Sequence, residues 1–196
     1  MPRVVRLIAV LTCAFALTNI QQASAGLLPS SVTVTPQAGQ YRWTYAIVLP
    51  TDSQLQNGNY FTIYDFGGYV PGLESSPAGW TFSAQLVGLT PPNVVPTDNP
   101  TLWNLTWTYT GPTVAAGQVG LGNFWATSDW DLSTDSYFTA RTNRTSDGRI
   151  DTNITTTTVP VPSAGPVVPE PATLALAGLG LPLVGLVRLV RRRPVN

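Results

Sequence analysis

The sequence predicts an all-β body, folded as an antiparallel β-sandwich or a jelly-roll-like domain, within a chain of 196 residues. Its central segments alternate apolar and polar residues with a period of two and are bounded by Gly, Pro, Asn and Asp, which is typical of strands and turns. None of these segments repeats its apolar residues at the 3.6-residue period of a helix. Threonine is abundant and Glu is scarce, which also favours strands. We therefore expect about seven or eight strands within residues 26–158.

The clearest strand is expected at residues 40–49, where every second side chain is large and apolar. One face of that strand carries Tyr41, Trp43, Tyr45, Ile47 and Leu49. Because alternate residues of a strand point to opposite faces, this stripe is expected to lie in the core. Similar patterns predict further strands at residues 32–35, 59–66, 80–87, 102–110, 117–127, 137–142 and 150–158.

Residues 1–25 are expected to be a secretory signal peptide. Two arginines, Arg3 and Arg6, precede an apolar run at residues 7–17, which is the pattern of such leaders. Ala23 and Ala25 supply the small residues that a signal peptidase requires, so Gly26 is the expected first residue of the mature chain. The partners at this end would be signal peptidase and the general export machinery.

The C-terminal part is expected to hold the body at a membrane. Prolines at residues 159–168 predict an extended stalk, because proline disrupts packed sheets. A single transmembrane helix is expected at about residues 172–190, a short span for a hydrocarbon core that needs about 20 apolar residues. Four basic residues at its end indicate the cytoplasmic side, which leaves the body outside. They are Arg188, Arg191, Arg192 and Arg193.

A short motif precedes this span, consisting of Pro169, Glu170 and Pro171. The two prolines hold the chain extended, and the carboxylate then lies near the expected helix N-terminus, where negative charge is favoured. With the apolar span and the basic end, residues 169–196 resemble the PEP-CTERM sorting signal of bacterial exported proteins. This module is sometimes labelled an ice-binding protein C-terminal domain, a label that describes the tail alone.

The resemblance implies export and transient anchoring in the inner membrane. It further implies recognition and cleavage near the motif by an exosortase, a membrane transpeptidase-like enzyme. Proteins of this kind are surface or extracellular-matrix components. The resemblance covers the tail only and assigns no family to the body.

Composition limits the chemistry of the body. The chain has no His and no Lys, and its ten basic residues are all Arg. Its one cysteine, Cys13, lies in the leader. Nucleophile–base pairs of the usual kinds are therefore absent, and we expect neither an enzyme nor a cofactor. Between residues 26 and 168, four Arg stand against eight Asp and one Glu, a formal charge near −5 that disfavours nucleic acid as a partner. Glu74 is expected in a loop.

Two weaker patterns indicate possible binding sites. Asp129, Asp131, Ser133 and Asp135 place an oxygen-bearing side chain at every second position and could offer ligands to Ca²⁺. The EF-hand pattern fails, however, and a solvated acidic loop is the favoured interpretation. Trp125 and Trp130 are expected to be the exposed tryptophans, and exposed rings could stack on sugars. We expect a structural or adhesive surface protein, with exopolysaccharide binding as the alternative and an extracellular hydrolase as a distant third.

Overall fold

The computed structural model describes residues 26–115 and 117–162. The expected signal peptide, most of the stalk, the motif at Pro169 to Pro171 and the expected transmembrane helix lie outside these residues. Within them, no helix is long and apolar enough to cross a membrane. The chain divides into two compact units, and the boundary follows Pro162.

The described residues form ten strands. They are β1 (Leu28–Gln37), β2 (Gln40–Leu49), β3 (Ser53–Gln54), β4 (Tyr60–Phe66), β5 (Tyr69–Ser75), β6 (Trp80–Gln85), β7 (Trp103–Tyr109), β8 (Val119–Ser128), β9 (Leu132–Arg144) and β10 (Ile150–Val161). The bounds of β2 are those expected from its alternating pattern. All eight predicted strands are present, most with small differences at their ends.

The strands form two antiparallel sheets. Sheet 1 has the order β1-β2-β8-β5, and sheet 2 has the order β10-β9-β4-β7-β6, with β3 paired to β9. Strands β1 and β10 are therefore edge strands, one in each sheet. The prediction of an all-β antiparallel body is confirmed.

The core lies between the two sheets and is rich in aromatic rings. Phe61 of sheet 2 meets Phe124 of sheet 1 edge-on, with ring centroids 4.9 Å apart. Trp107 contacts the same Phe124 ring from sheet 2, at 5.9 Å. All of the buried hydrophobic residues of this core lie between Leu27 and Val159. Because a compact unit that contains this core ends at Pro162, we expect residues 26–162 to fold without the tail.

Strand β5 corrects the expectation that Glu74 lies in a loop, since Glu74 pairs with Ala126 of β8. The sequence concealed this strand because it contains Pro71 and Gly72, and Gly72 has a φ of +82°. Proline is tolerated on the edge strand of a sheet, and β5 is such an edge. A register shift between Tyr69 and Glu74 accommodates the two residues.

Strand β10 corrects the start of the stalk. Val159 to Val161 pair with Ser133 and its neighbours in β9, and Val159 is fully buried. The Pro160 carbonyl accepts a hydrogen bond from the Gly67 N–H, at 3.2 Å, so it points away from β9. Since the N and C=O of one strand residue point the same way, the nitrogen of Pro160 also faces away from β9 and the ladder loses no donor.

Candidate functional site

Gly26 is the residue of the expected signal peptidase site that the structure describes, and it is buried. A Cβ atom at this position would lie 2.8 Å from Oδ1 of Asn153. The Asn153 side chain is fixed, because its Nδ2 donates to the Leu27 carbonyl at 2.9 Å. The expected first residues of the mature chain are thus packed against β10.

The three aspartates proposed as calcium ligands are not brought together. Asp129 accepts a hydrogen bond from the Gln40 amide at 2.9 Å, and Asp135 lies opposite Thr158 in the β9–β10 ladder. Across residues 26–115 and 117–162, no three His, Cys, Asp or Glu side chains are grouped as metal ligands would be. Asp131 is exposed just before β9.

Most of the tryptophan side chains pack against other residues of the body. Trp43 and Trp107 are fully buried, as their stripes predicted. The expectation that Trp125 and Trp130 are exposed is wrong, because both are half-buried. Trp130 covers Gly67, where an added Cβ would lie 2.3 Å from the indole ring.

Trp125 lies under a charged side chain on the outer face of sheet 1. The Arg42 guanidinium carbon is 4.2 Å from the centroid of the Trp125 ring, a cation–π geometry. Arg42 is itself held by a hydrogen bond from its Nε to the Gln37 side chain, at 2.7 Å. A sugar that stacks on this face of the ring would have to displace the guanidinium.

Glu74 is the partner of a tyrosine. The Tyr69 hydroxyl donates to Oε2 of Glu74 at 2.8 Å. Burial raises the pKa of Tyr69, and the hydrogen bond to Glu74 and the negative charge of this carboxylate raise that pKa further. The phenol therefore stays protonated at neutral pH and keeps donating to the carboxylate. Burial likewise raises the pKa of Tyr45, whose hydroxyl donates to the Thr158 carbonyl at 3.0 Å.

A polar cleft of about 270 Å³ lies where the edge strands β1 and β10 approach each other. Its lining residues are Pro29, Ser30, Ser31, Val32, Thr156, Thr157 and Thr158. None of these side chains ionises near neutral pH, so the cleft offers hydroxyl hydrogen bonds and no acid–base chemistry. The alternating pattern of the sequence could not reveal this cleft, because its walls belong to different sheets.

Residues 167–193 match the family described as the PEP-CTERM protein-sorting motif. The resemblance drawn from Pro169, Glu170 and Pro171 is thereby confirmed. Such a motif implies processing by an exosortase and passage through the membrane, and it indicates export and membrane-associated sorting to the cell surface. No curated protein matches the chain. The match covers the tail and assigns no family to the β-sandwich body.

Proposed function

We propose that this chain is a surface or extracellular-matrix protein whose β-sandwich body has a structural or adhesive role. The observation that carries the proposal is the sorting motif at residues 167–193, which stands directly behind a folded β body. The composition of the body supports a non-catalytic role, because it has no His, Lys or Cys to serve as nucleophile or base. Its hydroxyl-lined cleft is likewise without an ionisable side chain.

The route to the surface would use both ends of the chain. Signal peptidase would act at Ala25, and residues 172–190 would hold the chain in the inner membrane until an exosortase cuts near Glu170. Strand β10 ends at Val161, so seven residues, 162–168, separate it from Pro169. Fully extended, these residues span at most about 25 Å. The body would therefore stay tethered to the membrane until the cut and be freed from it afterwards.

The sorting step can be tested with one substitution in the motif. We expect Glu170→Ala to leave the full-length chain in the membrane fraction, whereas the natural chain passes to the surface or medium as a shorter form. The matched control is Pro166→Ala, which changes the chain just before residues 167–193. Normal release of the Glu170→Ala chain would contradict exosortase-dependent sorting through this motif.

A structural role and exopolysaccharide binding predict different behaviour of the isolated body on a polysaccharide column. Carbohydrate binding is the second candidate, since the half-buried Trp125 ring lies on the outer face of sheet 1, where a sugar could stack on it once it displaces the Arg42 guanidinium. Beads of the cell's own exopolysaccharide would retain a binding module and let a purely structural body pass. Loss of cohesion in cells lacking the gene, restored by the natural chain, would support the structural role.

A further inference from the structure

We propose that β10 carries a binding site for the mature N-terminus, in which Asp151 and Asn153 receive the α-ammonium group of Gly26. The inference rests on cleavage between Ala25 and Gly26, as the sequence predicts. Water hydrolyses that peptide bond to a carboxylate on Ala25 and an amine on Gly26. The amine takes up a proton at neutral pH, because α-amino groups have pKa values near 7.7–8.0.

Two acceptor atoms of β10, on Asp151 and Asn153, are buried and unused. Asp151 is only 5% exposed, and its Oδ2 has no hydrogen-bond partner among the described residues. Oδ1 of Asn153 is also buried and without a partner there. A buried polar atom without a partner destabilises the fold, and a buried carboxylate does so most strongly. A hydrogen-bond donor at both atoms would therefore stabilise the fold.

The strand register places Asp151 on the face of β10 that carries Asn153, and Gly26 lies against Asn153 on that face. A Cβ atom built on Gly26 would lie 2.8 Å from Oδ1 of Asn153 and 3.5 Å from Oγ1 of Thr142. Thr142 stands directly opposite Asp151 in the β9–β10 ladder. Side chains opposite each other in an antiparallel pair share a face, with Cβ atoms about 5 Å apart. Asp151 and Asn153, two residues apart on β10, share that face as well.

The arginines of β9 and of the β9–β10 turn either pair with another carboxylate or lie on the face opposite Asp151. Arg144 and Arg149 are both ion-paired with Asp147 in the part of the chain described. Arg141 stands opposite Thr152, and neighbouring strand residues point to opposite faces, so Arg141 lies on the face away from Asp151. An ammonium group at Gly26 would offer three donors and a positive charge.

The arrangement would couple leader removal to the stability of the body. Before cleavage, Gly26 carries an amide nitrogen in place of an ammonium group, and Asp151 lacks a cationic partner. After cleavage, the charge and its hydrogen bonds satisfy both acceptors. The processed body would then be more stable than the same body with leader residues attached, although no residue of the body has changed.

A double-mutant cycle on the purified body, residues 26–162, tests this coupling. One protein begins at Gly26 and the other retains Ser24 and Ala25, and each is made with Asp151 and with Asp151→Asn. We expect the two extra residues to lower Tm by about 4 °C or more, and Asp151→Asn to lower Tm in the Gly26 form only. Asp131→Asn, at an exposed position, serves as the control. Equal effects of Asp151→Asn in both backgrounds would overturn the proposal.

A second measurement decides the matter even if Asp151→Asn does not fold. The body has no Lys, so its α-amino group is its one primary amine. An ion pair that raises the pKa of this group by about one unit slows its acylation about tenfold at pH 7, because only the neutral amine reacts. We expect that slowing in the folded Gly26 form relative to the same protein in urea. Equal rates would contradict the site, whereas failure of leader cleavage in cells would contradict only the predicted processing.

Discussion

At the scale of single residues, the unexpected finding is how Trp130 is used. The aspartates that flank Trp130 suggest an exposed ring, yet the ring covers Gly67. The backbone carbonyl of Trp130 accepts a hydrogen bond from the Trp43 indole N–H at 3.0 Å. Ser128 connects the same parts, donating to the Gly67 carbonyl at 2.8 Å. The sequence could not reveal this arrangement, because the hydrogen-bonded partners are 61 and 87 residues apart and no local pattern links them.

Substituting Gly67 tests this packing. A Cβ atom at Gly67 would lie 2.3 Å from the Trp130 ring and 2.6 Å from the Pro160 carbonyl oxygen. We therefore expect Gly67→Ala to lower the free energy of unfolding by about 1–3 kcal/mol, the usual cost of overpacking. Urea unfolding of the purified body, followed by tryptophan fluorescence, measures the change.

The matched control is Gly120→Ala in β8. A Cβ atom at Gly120 would meet no other atom within 4 Å, and Gly120 does not have a positive φ. Its effect should stay within about 0.5 kcal/mol, as for ordinary surface substitutions. If both variants lose the same stability, contact with Trp130 is not the cause.

At the scale of elements, the sequence predicted strands well where alternation was regular and poorly at sheet edges. Strand β2 has every inward position apolar, and its bounds could be read directly. Strand β5 and the end of β10 contain prolines, which the pattern treats as the end of a strand. An edge strand tolerates proline because its outer side needs no ladder donor. Edge position is a tertiary property, so the local sequence could not disclose it.

Truncation tests where the body ends. A body that stops at Thr158 loses Val159, which is fully buried, and the hydrogen bond from Gly67 to Pro160. We expect it to lose about 2–4 kcal/mol of unfolding free energy relative to a body ending at Pro162. A body ending at Val161 is the control and should match the longer protein. Equal thermal stability of all three would place the end of the folded body at Thr158.

At the scale of the whole molecule, different parts of the chain were open to prediction for different reasons. The tail could be identified from sequence because a sorting signal must present a local motif, and residues 167–193 confirm it. The β body could be assigned to a fold class because burial imposes a period of two on its strands. The candidate sites could not be predicted, since the Gly26–Asn153 contact and the β1–β10 cleft depend on which edges meet.

Processing at both ends should change the charge of the protein greatly. Loss of Arg3 and Arg6 takes the formal charge from 0 to −2, and loss of the tail with its four arginines takes it to −5 or −6, according to the side of Glu170 that is cut.

The precursor has a sequence pI of about 6.1. The released form should focus near pH 4, where about half of its carboxylates are ionised. The Glu170→Ala chain, cut only at the leader, should focus between these two values. Isoelectric focusing of membrane and released fractions, with intact mass of each band, measures both cuts, and a released band near pH 6 would show that the arginine-rich ends are retained.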